Sequence, residues 1–440
     1  MKKNLLLPLL IATALFQNTA AETLWRLQDN SFTVDTLSHT SIAPSTTLTV
    51  MALSGTRPVK VHCVTADLSD PRLGMRVTTG ADMVSGRATL SDMQKAGSSD
   101  SLLCLAGVNA DFFEFDTNAP IGSTIVNGEI YLARDTAGWI NFCVDDLGRP
   151  SIERLRFSGT VTAPDGSVCQ LAGVNSGKAD DALVLFTPRR GAVTATGTDA
   201  AEVSVLPVAG HLAFDGALTL RVSGRPSPEG NISIAPDGMV LSGYGNAASF
   251  VSALSPGDTL TVVTAPLPAD AQTDAISTSA ADAAPGHAGK IMQMACGNPI
   301  LLADGVTLDT DNALPHCPQL HPRTAVGYDA SRTRLVLLVA DGRQIGLSEG
   351  LTTRELADLM RYLGCTDALN LDGGGSSELF VHPFTTPSST AAFAVSETSA
   401  PSELSNILPD NAPYPAGVVN RPSDGCERPV ADALWLTLRP

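Results

Sequence analysis

Alternating apolar and polar positions predict β-strands along much of the chain. From Val59 the apolar side chains recur at every second residue through Val61 and Cys63, which is the period of a half-buried strand. The apolar run over 101–108 has the length and composition of a fully buried strand. Asn127-Gly128 lies between two further apolar arms, and this dipeptide favours a tight hairpin turn because both residues accept positive φ.

One region switches from the period of a strand to that of a helix and back. The predicted elements are strands over 324–329, 334–340 and 367–372, with a helix before the last of them. Thr352 and Glu355 have the spacing of a capping box, and Gly364 is a natural residue to end the helix. A strand–helix–strand unit has parallel strands joined by a right-handed crossover, so we expect Asp341 and Asp372 to lie at one edge of the sheet.

These patterns predict an α+β fold with a mixed β-sheet core, a βαβ unit near the C-terminus and a strand-rich middle region over about 140–270. Residues 22–57 suggest a leader strand and a linker, and residues 58–440 a single domain. Two segments have the composition of long loops, which in a compact domain are often lids or binding loops. They are residues 268–290, rich in Ala, Asp and Thr, and residues 382–412, rich in Pro, Ser and Thr.

The first residues have the pattern of a secretory signal peptide. Lys2 and Lys3 form a basic start, and residues 5–16 form an apolar stretch too short to span a bilayer. Cleavage near Ala21 would leave a mature chain that begins near Glu22. We therefore expect a periplasmic or secreted protein, with no later apolar run long enough for a membrane span.

Composition narrows the class of protein. Of the 440 residues, 43% are hydrophobic and 17% are charged, which is the balance of a chain that buries a large core. The formal net charge is −17 and no run of Lys or Arg forms a basic patch, so a nucleic-acid partner is not expected. A phosphorylated substrate would be met by a few placed arginines or main-chain N–H groups.

The eight cysteines are even in number, which in an exported protein permits disulfides. Buried free thiols are the alternative, because cysteine is a common core residue. No CxxC pair occurs, so a zinc site of that type has no support.

The segment 370–377 is the strongest candidate for a site. Asn370 and Asp372 alternate with two leucines, so the two polar side chains share one face of the predicted strand, where they are costly unless solvated or used. The glycines that follow let the backbone approach a ligand and aim N–H groups at an anion. A tight turn is the alternative, which the preceding polar pair makes less favoured. The candidate binding residues here are Asn370, Gly373, Gly374, Gly375, Ser376 and Ser377.

Further polar residues follow other predicted strands. Asn109 and Asp111 repeat the same arrangement at the end of the run over 101–108. Arg323 and Arg343 are suited to bidentate contact with a phosphate. A single arginine is usually a surface residue, but two arginines near these carboxylates favour a phosphate site. His321 lies in a Pro-containing loop, where an ordinary loop histidine is at least as frequent as an acid or base.

Seven ordered segments are more specific together than any one alone. They are residues 107–113, 127–129, 297–302, 323–327, 339–343, 367–377 and 420–431. In this order they resemble the phosphodiester glycosidase family, from about residue 58 to residue 440. The chain departs from the family pattern at Ala110, where glycine is more usual, and in the long segment 382–412.

The resemblance implies cleavage of the glycosidic C–O bond of a sugar-1-phosphodiester, with an N-acetylglucosamine-like sugar, to free sugar and a phosphomonoester. The expected partner is a small-molecule or polymeric glycan phosphodiester. Arginines and backbone donors would stabilise the charge that develops on the departing phosphate. A carboxylate would activate water or attack the anomeric carbon, and the candidates are Asp372 and Asp111, followed by Asp341.

Two other functions fit the same residues. The first is a non-catalytic protein that binds an envelope glycan in the same pocket, although several polar strand ends argue against it. The second is a divalent-metal-dependent phosphodiesterase, in which Asp341, Asp372 and Asn370 hold the cation. The sequence itself requires no cofactor and leaves the divalent cation of this alternative open.

Overall fold

A computed structural model describes residues 23–27, 30–136, 138–268, 289–311, 313–383 and 417–439. The predicted signal peptide lies outside these residues, as do most of the two predicted long loops, 268–290 and 382–412. None of the described helices is long and apolar enough to cross a lipid bilayer.

Strands dominate the described part of the chain, which forms twenty-five β-strands and three α-helices. The strands are β1 (Thr23–Leu27), β2 (Asn30–Ala43), β3 (Thr46–Gly55), β4 (Val59–Asp67), β5 (Leu73–Thr79), β6 (Leu103–Asn109), β7 (Thr124–Val126), β8 (Glu129–Leu132), β9 (Ile140–Asp145), β10 (Pro150–Glu153), β11 (Leu155–Thr162), β12 (Val168–Val174), β13 (Leu183–Phe186), β14 (Ala200–Gly210), β15 (Gly216–Val222), β16 (Met239–Tyr244), β17 (Thr259–Pro268), β18 (Ile291–Gly297), β19 (Ile300–Ala303), β20 (Val306–Thr307), β21 (Arg323–Tyr328), β22 (Arg334–Ala340), β23 (Asp367–Asn370), β24 (Leu379–Val381) and β25 (Asp432–Leu438). The helices are α1 (Leu90–Gly97), α2 (Asn246–Ala253) and α3 (Thr353–Tyr362).

The strands form three open sheets and a closed barrel. A nine-stranded sheet has the order β1-β2-β3-β4-β22-β21-β23-β19-β20, a five-stranded sheet the order β10-β9-β18-β7-β8, and a four-stranded sheet the order β24-β6-β25-β5. The strand-rich middle region closes into the barrel β11-β12-β13-β16-β14-β15-β17. Within the described residues β12 and β13 pair in parallel. The α+β prediction therefore holds in outline, although helix is a small part of a mostly β architecture.

Residues 30–55, for which the sequence suggests a leader strand and a linker, lie in two long strands of the nine-stranded sheet. β2 pairs with β3 along nearly its whole length, and β3 pairs with β4 from Thr46–Ala66 to Leu53–Val59. Burial along β3 fits this position, because Leu48 packs in the core on one face of the sheet, and Met51 and Leu53 pack in the core on the other.

The predicted strand–helix–strand region forms β22, α3 and β23 in that order. β22 and β23 do not pair with each other: both are antiparallel to β21, which lies between them, so they run in the same direction. The capping box is present, since Thr352 Oγ1 accepts from Glu355 N (3.1 Å) and Glu355 Oε2 accepts from Thr352 N (2.9 Å). Gly364 follows the helix with φ of +85°. This arrangement puts the ends of β22 and β23 at one edge of the sheet.

The nine-stranded sheet is buried on both faces. Leu356, Leu359 and Met360 of α3 pack on one face with Val336 and Leu338 of β22. The other face contributes to a core shared with the two smaller sheets, and this core includes Leu337, Val326, Leu369, Val108, Phe142 and Leu434. Burial on both sides explains why β21 and β22 read as nearly continuous apolar runs in the sequence.

All eight cysteines are free thiols, so the structure contains no disulfide. Six of them are buried, and only Cys426 is fully exposed. Burial raises the pKa of the thiol of Cys63 to about 12 and of Cys104 to about 11, which keeps these groups neutral and unreactive. The alternative of buried core thiols therefore describes most of the cysteines.

Candidate active site

The ends of β6 and β23, which carry candidate site residues in the sequence, lie together in the structure. The segment after β23, residues 372–377, is here called the glycine loop. Asp372 N donates to Ala110 O (2.9 Å), and Gly374 N donates to Pro322 O (3.0 Å). Gly374–Ser376 form a short 3-10 turn in which Gly374 has φ of +64°, a conformation that favours glycine. These bonds fix the loop against the segments that follow β6 and precede β21.

Asn109 and Asn370 hold this backbone in place. Asn109 Nδ2 donates to Asp372 O (2.7 Å), while its Oδ1 accepts from Thr324 Oγ1 (2.9 Å) and Glu378 N (3.2 Å). Asn370 Nδ2 donates to main-chain oxygens of Asn298 (2.8 Å) and Leu371 (2.9 Å). The Oδ1 atom of Asn370 is buried and has no partner among the described residues. Substrate contact by these two side chains stays a prediction, and their amides already position the loop.

Asp372 is a partly exposed carboxylate at the start of the glycine loop. Desolvation raises its pKa to about 6, against hydrogen bonds from Ser376 and Gly373 N and the positive charges of Arg428 and Arg343, which lower it. Gly373 N donates to Asp372 Oδ1 at 2.8 Å. A carboxyl group with this pKa is ionised at neutral pH and more basic than an ordinary aspartate, as a general base or nucleophile requires.

Asp111 has a buried carboxylate and follows Ala110, whose main-chain oxygen accepts from Asp372 N. Its Oδ2 accepts from Gly122 N (2.6 Å) and its Oδ1 from Trp139 Nε1 (2.8 Å). Desolvation raises the pKa of Asp111 above its usual range, although both hydrogen bonds lower it. With each oxygen engaged and the side chain enclosed, Asp111 is placed to hold Trp139 and the neighbouring backbone.

A third carboxyl group, Asp432, was not among the residues proposed from the sequence. It lies fully buried at the start of β25, where its Oδ1 accepts from Asp111 N (2.8 Å) and its Oδ2 has no partner among the described residues. Burial, and then the charges of Asp111 and Asp372, raise the pKa of Asp432 well above the usual range. The sequence did carry a signal, because this is a lone acidic residue in an apolar strand.

Two guanidinium groups pack directly on the glycine loop. A Cβ atom at Gly374 would lie 2.9 Å from Arg343 Nη2, and a Cβ atom at Gly375 would overlap the guanidinium of Arg428. Arg428 is held by Asp424 through Nε (2.8 Å), and its Nη1 lies 3.4 Å from Ser376 Oγ. Side chains at either position would push these cations away, which explains why the chain has glycine there.

The charge of Arg343 is not offset by a carboxylate, since none among the described residues pairs with it. Its Nε lies 3.4 Å from His321 Nδ1. Desolvation and the charges of Arg323, Arg343 and His316 lower the pKa of His321 to about 4, so this imidazole is neutral at pH 7. Arg343 therefore presents a cation, exposed to solvent, beside the glycine loop.

Glu378 holds the main chain of Arg428 in place. It is fully buried and its Oε1 accepts from Arg428 N (2.6 Å), while Oε2 has no partner among the described residues. Desolvation raises the pKa of Glu378 to about 9, so the group is protonated at neutral pH. It fixes the backbone of Arg428 without neutralising the guanidinium.

Gly375→Ala is expected to lower activity by about 10²-fold, because an added methyl displaces the Arg428 guanidinium and small misplacements of positioning groups have effects of this size. The displaced atoms are the ends of two side chains, Arg428 and its partner Asp424, so we expect little change in the melting temperature. Steady-state kinetics and thermal unfolding of the variant measure both. Gly177→Ala is the matched control, because a Cβ there meets no atom within 4 Å. Wild-type kinetics of Gly375→Ala would contradict the placement of Arg428.

Arg323 has a different environment from the one the sequence suggests. The side chain is fully buried, and its Nε and Nη2 donate to the main-chain oxygens of Leu351 (2.9 Å), His316 (2.8 Å), Cys317 (3.3 Å) and Gln319 (2.9 Å). It thereby holds the loop that carries the two histidines. Phosphate contact by Arg323 stays a prediction, and the guanidinium groups that the structure places on the glycine loop are those of Arg343 and Arg428.

Asp341 follows β22, as predicted, but its carboxylate is buried. Oδ1 accepts from Asn420 Nδ2 (3.0 Å) and Arg421 N (3.1 Å), and Oδ2 lies 3.4 Å from His62 Nε2. Asn420 Nδ2 also donates to Ser377 O (3.0 Å), so Asp341 ties the segment near 420 to the glycine loop. In the described ranges no three His, Cys, Asp or Glu side chains are grouped to hold a metal ion, and the cation set of Asp341, Asp372 and Asn370 stays a prediction.

A row of partly exposed rings borders the site. Trp139 packs edge-on against Phe112 with ring centroids 5.7 Å apart, and Phe112 lies 5.9 Å from His316. His316 in turn lies 6.4 Å from His321. The row thus runs from Asp111, which holds Trp139, to the histidine beside Arg343, and it offers apolar faces to a ring-shaped ligand. The role of Trp139 was not foreseen in the sequence, because an isolated tryptophan carries no motif.

This chain is similar to known proteins both in sequence and in fold. The phosphodiester glycosidase family model matches residues 213–437. A hypothetical protein from Synechocystis has a solved structure similar to this chain, with TM-score 0.64, 17% identity, and coverage of 91% of this chain and 64% of that one. A solved structure from Burkholderia pseudomallei K96243 has TM-score 0.55, 21% identity, and coverage of 87% and 74%. Both likenesses concern the fold.

Among curated proteins, the SPbeta prophage-derived uncharacterized protein YomE of Bacillus subtilis (strain 168) is 43% identical over 61 residues. That match spans 14% of this chain and 9% of the relative. The chain therefore spans a small part of the curated relative and less than two thirds of the Synechocystis protein.

Proposed function

Because the chain belongs to the phosphodiester glycosidase family, we propose that it hydrolyses the glycosidic C–O bond of a sugar-1-phosphodiester to a free sugar and a phosphomonoester. The observation that carries this proposal is the pair Arg343 and Arg428, packed on a glycine loop that begins with Asp372. Two cations beside a carboxylate of raised pKa suit a reaction in which a phosphate departs and water is activated.

The substrate is oriented by the two sides of the site. The phosphate lies against Arg343 and Arg428, since hydrogen bonds between charged groups are the strongest. The sugar lies towards Phe112 and Trp139, whose rings cover its apolar face. From the resemblance in the sequence we take the sugar to be similar to N-acetylglucosamine.

In the proposed reaction a water oxygen bonds to the anomeric carbon as the C–O bond to the phosphate breaks. The electron pair of that bond goes to the phosphate oxygen, and the two guanidinium groups stabilise it there. In this direct route Asp372 takes the proton of the attacking water. In the alternative route Asp372 first bonds to the anomeric carbon as the bond to the phosphate breaks, and water then displaces the carboxylate and gives its proton to the released phosphate. Asp111 positions Trp139, and Asp432 positions Asp111.

Location outside the cytoplasm is part of the proposal. It is supported by the signal-peptide pattern of residues 1–21. Its consequence is that the substrate is a periplasmic or extracellular glycan phosphodiester.

Incubation with N-acetylglucosamine-1-phosphodiesters in water labelled with heavy oxygen tests the reaction directly. We expect the label in the released sugar, because the C–O bond is the one that breaks. Label in the phosphate would instead indicate cleavage of the P–O bond, and the chain would then be a phosphodiesterase. Binding of the esters without turnover would indicate a glycan-binding protein. Activity that disappears with a chelator and returns with a divalent cation would favour the metal-dependent alternative.

The pH dependence follows from Asp372. Both of its proposed roles need the ionised carboxylate, so kcat/KM should rise with pH through about 6, the pKa of this group, and then level off. A pH–rate profile of the wild-type protein measures this limb. If kcat/KM instead falls as the pH rises through the same value, Asp372 acts as a proton donor and the role given to it here is wrong.

A further inference from the structure

The loop after β22 carries apolar side chains that face solvent. Ile345 is 93% exposed and Leu347 is 61% exposed. Leu320, 38% exposed, lies on the neighbouring loop, next to His321. These three residues are here called the apolar rim. Single exposed apolar residues are common, but a group on adjoining loops at the mouth of a site indicates a binding surface.

The exposure of the apolar rim comes from a loop that is firmly held. Gln344 N donates to Ser348 O (2.9 Å), and Ser348 N donates back to Gln344 O (2.8 Å), which closes the tip. Ser348 Oγ accepts from Lys60 N (2.9 Å) and donates to Asp341 O (2.7 Å). Gln344 Nε2 donates to Arg421 O at 2.9 Å. The tip therefore presents Ile345 and Leu347 outward from an anchored base.

The apolar rim is continuous with the phosphate-binding part of the site. Arg343, which packs on Gly374, comes two residues before Ile345 in the same loop. The two loops also touch: a Cβ atom at Gly342 would lie 2.5 Å from Pro322 N, and Arg343 Nε lies 3.4 Å from His321 Nδ1. A cation with exposed aliphatic side chains in the same loop is complementary to an anionic head group with a hydrocarbon chain.

We propose that the preferred substrates carry an aliphatic chain on the second ester of the phosphate, and that this chain lies on Ile345, Leu347 and Leu320. The inference rests on the proposed function for the position of the phosphate at Arg343. The sugar then occupies the side with Trp139 and Phe112, and the chain runs from the phosphate at Arg343 onto the apolar rim. A hydrophilic group in that place would leave the apolar rim exposed to water.

Binding of two phosphomonoesters tests the inference without any turnover. We expect the wild-type protein to bind decyl phosphate, below its micelle concentration, at least about ten-fold more tightly than methyl phosphate, since each buried methylene adds to affinity. Ile345→Ser/Leu347→Ser should remove most of this ratio and leave the affinity for methyl phosphate unchanged. The control Leu147→Ser/Val306→Ser removes apolar side chains that are 68% and 61% exposed elsewhere and should keep the ratio. Equal affinities of the wild-type protein for both phosphates would overturn the inference.

Two further measurements separate this inference from its alternatives. The wild-type protein should hydrolyse the decyl ester of N-acetylglucosamine-1-phosphate faster than the methyl ester. Ile345→Ser/Leu347→Ser should lose this preference. No turnover of either ester would overturn the proposed hydrolysis, while the binding ratio still decides the inference. If Ile345→Ser/Leu347→Ser weakens co-sedimentation with phosphatidylcholine vesicles but keeps the decyl-to-methyl ratio, the rim contacts a bilayer and the inference is wrong.

Discussion

Asp372→Asn is expected to lower kcat/KM for a sugar-1-phosphodiester by at least about 10³-fold, within the range that general acid–base groups contribute. The amide has nearly the shape of the carboxylate, and its oxygen still accepts from Gly373 N, as Asp372 Oδ1 does at 2.8 Å. It can neither take a proton from water nor attack the anomeric carbon. Because the variant also removes a desolvated charge, we expect its stability to be equal to or above that of the wild-type protein.

Two further variants make the assignment of Asp372 specific. Asp215→Asn changes an exposed carboxylate between β14 and β15 and should keep wild-type kinetics. Asp111→Asn should lower activity less than Asp372→Asn does, because Asp111 acts through Trp139 and the Gly122 backbone. Steady-state kinetics and thermal unfolding of the three variants are compared. A larger loss for Asp111→Asn, with the fold intact, would move the reacting carboxylate to Asp111.

Arg428→Ala is expected to lower kcat by about 10²–10³-fold, the size of effect seen when one preorganised donor to a developing charge is removed. The guanidinium packs on Gly375 and pairs with Asp424, so its loss leaves the departing phosphate with Arg343 alone. Arg428→Lys should restore part of the activity, because the charge returns without the planar pair of donors.

Arg361→Ala is the matched control for Arg428→Ala. Arg361 pairs with Asp358 on α3 and is 55% exposed, so its removal deletes a surface ion pair without touching the site. Both variants should unfold within a few degrees of the wild-type protein, since exposed or partly exposed ion pairs contribute at most about 1 kcal/mol. Kinetics measured over a range of concentrations of one phosphodiester give kcat and KM separately. An unchanged kcat with a raised KM would mean that Arg428 stabilises the bound substrate and the transition state equally, and that it gives no extra stabilisation to the departing phosphate.

Local signals in the sequence were sufficient where one short segment determines its own structure. Asn127 and Gly128 adopt φ of +52° and +82°, as the predicted hairpin turn requires. The helix after Thr352 begins at the predicted capping box and ends before Gly364. In both cases the determining contacts lie within a few residues of one another. The glycine loop was found for the same reason, because strand alternation and three glycines stand in one run.

Contacts between distant segments could not be read from the sequence. Nothing local distinguishes a strand that closes a barrel from one in an open sheet, so the barrel over β11–β17 appeared only as a strand-rich region. Arginine is a common phosphate ligand, yet Arg323 donates its hydrogen bonds to main-chain carbonyl oxygens of a loop. Asp432 becomes part of the site only because β25 lies beside β6, which brings its carboxyl group to Asp111 N.

The position of β25 also sets the order in which the molecule can be completed during synthesis. β25 lies between β5 and β6, and Trp435 Nε1 donates to Thr78 Oγ1 (2.8 Å) across 357 residues of sequence. A nascent chain on the ribosome thus exposes the edges of β5 and β6 until their shared neighbour emerges. Pairing over such separations is slow, because the intervening chain loses entropy before the contacts form. Arg428 and Asp432 are made at the same late stage, so the nascent protein acquires the proposed active site only as that sheet is completed.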